Sequence, residues 1–288
     1  MRDLSHADAK SAAPLRRPRL IIEPTRGWAR LNLRELWLYR DLLWLLALRD
    51  VQLRYKQTVL GIAWVILQPL VAAGIFAVIF GAFAKLPSDG TPYLLFVFCG
   101  LLPWNLFAGA VQRAGNSLVG SANLISKVYF PRLIIPLASV FAVLIDLGVA
   151  LGVMALLMIV YQVPVTAQIL ALPFFLALAL IAALGISLWL TGLNVYYRDF
   201  MYALPFLMQV WLYASPVAYA AALVPEQWRA LYNLNPLVAC IEGFRWALLG
   251  RGAVTFETVA LASVSAFGFF ISGVLVFRRI ERGFADVL

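Results

Sequence analysis

Charge is scarce in this 288-residue sequence. Only 13% of residues are Asp, Glu, Lys or Arg and 63% are hydrophobic, against about 25% and about 45–50% in an average soluble domain. Mean hydropathy is +0.88. A soluble fold would have to leave much of that apolar surface in water. An ordinary cytosolic enzyme is therefore excluded, and a polytopic membrane protein of about six spans is expected. Histidine is limited to His6, in a polar stretch, so histidine-based metal sites and catalytic triads have no material. Cys99 and Cys240 stand alone in apolar surroundings without CxxC spacing, which suits small buried hydrophobes rather than a disulfide or a metal site. The sequence lacks GxxxxGK[ST], GxSxG and HExxH, which removes a P-loop, a hydrolase elbow and a zincin site. No cofactor is expected in this chain. Active transport would need energy from another chain or from an ion gradient. A gradient ordinarily leaves several intramembrane carboxylates, and only Asp146 is available. An integral membrane glycosyltransferase would need a paired-carboxylate metal site, and none is present. No internal repeat supports an inverted-repeat secondary transporter. Residues 1–25 contain no apolar core of seven or more residues, so they do not read as a signal peptide.

The expected fold class is an all-α integral membrane protein. Residues 1–27, with Pro14, Pro18, Pro24 and the Arg16-Arg17 pair, read as a flexible cytoplasmic tail. Residues 28–58 mix aromatics with charges and read as amphipathic interface helices. From Leu48 onward, Leu48, Val51 and Tyr55 form a narrow apolar stripe, with Arg49, Asp50, Gln52, Arg54, Lys56 and Gln57 around the other side. Residues 59–288 form the transmembrane domain. Spans are expected over 60–83, 93–119, 133–160, 169–190, 201–219 and 254–277. The second is interrupted by Pro103, Asn105, Gln112 and Arg113, and the fifth is broken by Pro205 and Ser215-Pro216. Polar turns fall at 85–90, 121–132 and 194–199. Between the last two spans lie two short helices, 225–234 and 237–249, split by Asn235-Pro236. The second is too short to cross and suits a re-entrant or interfacial piece. Glu242 and Arg245 can pair on its polar side.

Basic residues choose the orientation. Twelve of the 23 Lys and Arg precede Gln57, and with Lys127, Arg132, Arg198, Arg278, Arg279 and Arg282 they fall on one side of a six-span path. Lys85, Arg229, Arg245 and Arg251 fall on the other. That bias places both termini in the cytoplasm. The net charge of +9 therefore suits anionic lipid headgroups. No folded soluble module is available to present it to nucleic acid.

Polar residues within spans need a reason. Arg113 and Asp146 differ in depth by roughly 7 Å when counted from their shared loop at 1.5 Å per residue, within reach of an arginine. An ion pair between adjacent helices is one reading. The alternative is a polar lining with Asn105, Gln112 and Asn116. A proton relay is disfavoured, since a carboxylate beside an arginine stays ionised. The aromatics Trp64, Trp104, Phe107, Phe206, Trp211 and Tyr213 sit within spans. Packing accounts for each one singly. As a group they could offer stacking surfaces to the apolar faces of sugar rings in a sliding polymer.

Several stretches then carry a resemblance. LRDVQLRYKQTVLG at 48–61, followed by Trp64 and Gln68-Pro69, resembles the start of the type-2 ABC exporter permeases, specifically those for O-antigen, capsular and teichoic polysaccharides. Further matches follow in order: KVYFPR at 127–132, NVYYRD at 194–199, SPVAY at 215–219, and NLNP at 233–236 with Gly243-Phe244-Arg245. The resemblance implies the permease subunit of an O-antigen or other lipid-linked polysaccharide exporter in the bacterial inner membrane. It implies a homodimer working with a separate ABC ATPase that binds the ATP and Mg. By position, Lys127, Val128, Tyr129, Phe130, Pro131 and Arg132 become the ATPase-coupling segment, and Arg49, Asp50, Arg54 and Lys56 the interface helix near it. The 225–249 pair, with Trp228, Arg229, Tyr232, Glu242 and Arg245, becomes the exit gate. Along the export route, the polar and aromatic residues within spans, Trp64, Trp104, Asn105, Phe107, Trp211 and Tyr213, are expected to form the substrate conduit, a reading from their placement and not from the resemblance. The nearest competing expectation is a related permease for a drug or a lipid.

Overall fold

The computed structural model describes residues 33–56, 61, 63–125, 127–252 and 254–284. The tail expected over 1–27 lies outside them. The regular structure of the described residues is all helical, without strands. In order they form α1 (Leu33–Leu38), α2 (Arg40–Lys56), α3 (Ala63–Phe76, prolonged by a π-helical stretch, Ala77–Phe83), α4 (Tyr93–Gly120) and α5 (Ala122–Ile125). Then come α6 (Ile134–Val160), α7 (Leu172–Tyr196), α8 (Asp199–Tyr213), α9 (Glu226–Asn233), α10 (Pro236–Leu249) and α11 (Phe256–Ile280).

Helix α4 is the centre. Its first half is apolar nearly all round, with buried residues on every side from Leu95 to Trp104, and a stretch of that pattern belongs inside. Helices α3, α6, α7 and α10 surround it, and Leu95, Phe96, Phe98, Phe107 and Val111 are sealed from solvent. The closest helix pairing is between α7 and α11, through a seam without side chains. A Cβ added at Gly273 would lie 2.2 Å from the carbonyl oxygen of Gly185, and one at Gly185 2.5 Å from the backbone of Phe269. Small residues allow this approach, and backbone contact is a main source of helix adhesion where lipid removes the hydrophobic drive.

Among the described residues, five helical stretches are long and apolar enough to cross a membrane: Ala63–Phe83, Tyr93–Gly120, Ile134–Val160, Ala167–Tyr196 and Phe256–Ile280. The span expected over 201–219 is instead the 15-residue α8, about 22 Å at 1.5 Å per residue, followed by a non-helical turn. The chain nevertheless travels the length of the bundle there. At one end, α7 is tied to the end of α4 by Thr191 Oγ1 to the Ala114 carbonyl (2.7 Å) and Asn194 Nδ2 to the Gly115 carbonyl (3.0 Å). At the other end, the turn after α8 meets the start of α4. There Tyr93 Oη donates to the Ala218 carbonyl, and Arg245 bridges the carbonyls of Val217 and Phe96. Only Leu204 and Met208 of α8 are buried. An apolar groove of about 840 Å³, lined by Leu190, Leu207, Trp211, Trp228, Leu231 and Phe269, runs beside it.

The split expected at Asn235-Pro236 is a helix start. Asn235 caps α10 by accepting from the Leu237 N–H at 3.1 Å, and Pro236 occupies the first turn, where its missing N–H costs nothing. Residue Asn194, expected in a polar turn, lies in the last turn of α7 and is buried. The last helix continues through Arg278 and Arg279 instead of stopping before them.

Candidate functional site

Helix α2 lies along α6, and the side it turns inward differs from the expected one. Leu46 and Ala47 are buried, and one and two turns further on the same face carries Asp50 and Arg54. Leu48, the start of the expected apolar stripe, is 38% exposed. The reason is polar pairing: α6 supplies Ser139, whose hydroxyl donates to Asp50 Oδ2 at 3.3 Å, and Asp146, which receives Arg54. Two charges placed among the solvated ones by periodicity are thus the anchors of the helix. The side chain of Lys56 lies outside the described residues.

Around Asp146 three donors converge. Arg54 pairs with Oδ2, Arg113 Nη2 reaches the same oxygen at 3.0 Å, and Tyr55 Oη donates to Oδ1 at 2.5 Å. Burial, the bond to Asp146 and the carboxylate charge push the Tyr55 hydroxyl up to about 12, with Arg54 opposing. It therefore remains a donor at neutral pH. The two arginine side chains keep 32% and 31% exposure, because the cluster opens into a cleft of about 470 Å³ among α2, α3, α4 and α6. Gln68, Trp104, Asn105 and Gln112 line it, with Val143 and Ala150 on the α6 wall. Arg113 also borders a second polar recess of about 320 Å³, with Arg49, Asp50, Asn116 and Ser117.

The six aromatic and amide residues expected along one conduit are not gathered there. Trp104 and Asn105 line the cleft. Phe107 is fully buried and stacks on Trp211 at 5.1 Å and on Trp104 at 6.1 Å. Trp211 faces the apolar groove and donates to Asn235 Oδ1 at 3.2 Å. Trp64 and Tyr213 are exposed on the outside of the bundle, as is Phe206.

The stretch expected to couple, 127–132, divides in two. Lys127, Val128 and Tyr129 are exposed, while Phe130 is buried and Pro131 half-buried. Arg132 is turned back into the bundle: it donates to the Glu281 carbonyl and lies over the Phe284 ring at 5.6 Å. Phe284 is fully buried between Phe277 and Tyr196. The 194–199 motif thus acquires a role, with Asn194 fastening α7 to α4 and Tyr196 helping to enclose Phe284. At the opposite end, Glu242 and Arg245 pair at 3.0 Å, 2% and 1% exposed, so the expected polar side of α10 is interior. Arg245 also stacks on Phe96 at 3.5 Å. Trp228 and Arg229 of α9 are exposed, Arg229 beside Glu226 at 3.6 Å. Tyr232 Oη donates to Tyr219 Oη at 3.0 Å.

Sequence reasoning missed Tyr55 as a partner of Asp146 and Gln68 at the cleft. Tyr55 was counted with the apolar stripe; its adjacency to Arg54 was the available signal. Gln68 precedes a proline in an apolar run, and that isolation was its signal.

Sequence comparison places the chain among known proteins. The O-antigen export system permease protein RfbA of Klebsiella pneumoniae is 28% identical over 249 residues, 86% of this chain and 95% of its own length. That of Myxococcus xanthus is 28% identical over 235 residues, covering 81% and 90%. The polysialic acid transport protein KpsM of Escherichia coli is 25% identical over 209 residues, covering 71% and 80%. The family model for ABC-2 type transporters matches residues 41–249, a stretch that runs from α2 through α10 and takes in the whole cleft, and the chain accordingly belongs to the ABC-2 type transporter membrane family.

Proposed function

We propose that this chain is the membrane subunit of an exporter that carries a lipid-linked polysaccharide across the bacterial cytoplasmic membrane, driven by ATP hydrolysis in a separate ABC ATPase subunit. The observation that carries the reading is the near full-length similarity to O-antigen export permeases. Two copies would work together. Helix α8 and the turn behind it would serve as the sixth crossing, since they run from one end of the bundle to the other. Both termini then fall on the cytoplasmic side, in keeping with the basic bias. Helix α2 is the interface helix, and α9 with α10 returns without crossing as the outer gate.

Exposed Lys127, Val128 and Tyr129 offer the ATPase a contact, and Arg132 with Phe130 anchors that contact to the bundle. A push there would reach α11 through Phe284 and α7 through Tyr196. Trp104 and Asn105 are the conduit residues best supported by position, because they line an open polar cleft. The chain performs no covalent chemistry: it holds, orients and moves its cargo while the ATP and Mg sit in the partner.

The test is complementation. In a bacterium lacking its own O-antigen permease, this chain, expressed with its cognate ATPase and glycan-synthesis genes, restores surface polysaccharide on gels. Lys127→Glu with Tyr129→Ala abolishes it while leaving membrane levels unchanged. Polysaccharide retained inside cells that carry the intact pair would overturn the reading, as would thiol labelling that reaches a cysteine at position 129 only from outside.

A further inference from the structure

We propose that Phe284, at the turn after α11, is a positioning residue for ATPase coupling: it holds Arg132, and through Arg132 the exposed Lys127, Val128 and Tyr129, in the posture that the ATPase contacts. The inference rests on the export reading and deepens it by naming the residue that keeps the ATPase contact in place.

The 127–132 stretch needs such a hold. Residues 129–131 belong to no helix, so their placement falls to the side chains that turn inward. Phe130 is one of these. Arg132 is the other, and it grips the end of a different helix. Helix α11 stops at Ile280, and Glu281–Gly283 wind into a single 3-10 turn. Carbonyls at a helix C-terminus lack intrahelical donors and carry partial negative charge, so a guanidinium is favoured there. Arg132 donates to the Glu281 carbonyl. The Glu281 carboxylate is engaged by Arg278 at 2.8 Å. Arg132 is thereby left to the main chain and to the Phe284 ring at 5.6 Å, within the roughly 6 Å of a cation–π contact.

Phe284 can act as that floor because it is itself held. It is fully buried, edge-on to Phe277 at 5.7 Å and tilted against Tyr196 at 6.2 Å. It belongs to a buried apolar cluster separate from the main core, shared with Leu46 of α2, Phe130, Leu133, Leu188 of α7 and Val274 of α11. The same cluster therefore joins the inward half of the coupling stretch to three helices.

The turn that presents Phe284 is also matched to one atom of α7. A Cβ added at Gly283 would lie 2.1 Å from the Tyr196 hydroxyl, whereas the ring carbon bearing that hydroxyl stands at 3.4 Å. The hydroxyl ends a side chain that is 42% exposed. A methyl group at position 283 would thus push the Tyr196 ring off Phe284 and leave the helices whole.

The test uses the chain co-purified with its cognate ATPase, and cells carrying the same pair. In Phe284→Ala, ATP hydrolysis should persist within about twofold while surface polysaccharide falls at least about tenfold, the size of effect expected of a residue that carries coupling. Lost packing alone would lower the two together. Phe256→Ala, at an exposed ring on the other end of α11, should change neither. Gly283→Ala should reproduce the split at about threefold. Adding Tyr196→Phe, which removes only the colliding oxygen, should recover export, a repair that a collapsed fold would not show. A second readout does not depend on transport. Cys99 and Cys240 are fully buried, so Val128→Cys supplies the thiol that a membrane-impermeant maleimide reaches. Bound ATPase should slow its labelling at least about fivefold, and Phe284→Ala should cut that protection below about twofold. Where Phe284→Ala does not assemble, Gly283→Ala and its repair carry both readouts. Hydrolysis and export falling in step, no recovery on adding Tyr196→Phe, or unaltered protection would overturn the inference. A wild-type pair that exports nothing overturns the export reading instead, and the labelling result then decides the role of Phe284.

Discussion

Two of the arginine–carboxylate clusters among the described residues, at Glu242 and at Asp146, are built to opposite plans. At one end Arg245 is closed off, spending its donors on Glu242 and on the carbonyls of Phe96, Val217 and Tyr219. Glu242 in turn accepts the Ala221 N–H at 3.3 Å. One positive charge meets one negative charge, and every contact is to this chain. At the Asp146 cluster the charges are unequal, about a third of each arginine side chain faces the cleft, and amide donors stand idle nearby. Completeness marks a fastening, here one that pins the non-helical 214–220 segment to α4. Incompleteness leaves charge open to the surroundings.

The comparison can be broken most severely at Arg245. Arg245→Met leaves Glu242 buried without its counter-charge and should cost about 3–5 kcal/mol, read as loss of the monodisperse folded fraction in detergent. Glu242→Gln with Arg245→Met together should recover part of it. Arg54→Gln should cost less, about 1–2 kcal/mol, because the lost charge-assisted bond is partly compensated by solvent. Thermal melting of the purified chain checks this. Salt sharpens the contrast: between 50 mM and 500 mM the penalty of Arg54→Gln should shrink, while that of Arg245→Met should not move, since exposed charges are screened and sealed ones are not. Smallest of all, Arg229→Ala should stay within about 0.5 kcal/mol, its pair with Glu226 being largely solvated. An effect there as large as at Arg54 would erase the distinction between open and idle charges.

Apolar length and turn chemistry were legible in the sequence where the physics is local. Asn235-Pro236 announces a capped helix because cap and proline act within one turn. The 85–90 turn is read from residues that tolerate left-handed backbone, and Asp89 and Gly90 adopt it. What escaped was decided at long range. Helix α2 faces inward with Asp50 and Arg54 because Ser139 and Asp146 wait some 90 positions later, and no periodicity within α2 records that. The interior setting of Glu242 and Arg245 depends likewise on carbonyls from α4 and from the turn after α8. The break of the fifth span at Ser215-Pro216 was legible, and α8 ends just before it at Tyr213, whereas Pro205 sits inside an unbroken helix.

The glycine seam between α7 and α11 has a mechanical meaning. Where Gly185 and Gly273 bring main chains together, no rotamers intervene to re-mesh. One helix cannot creep along the other without first being prised away from it. Around that contact the two therefore move as a single stiff beam rather than sliding past each other.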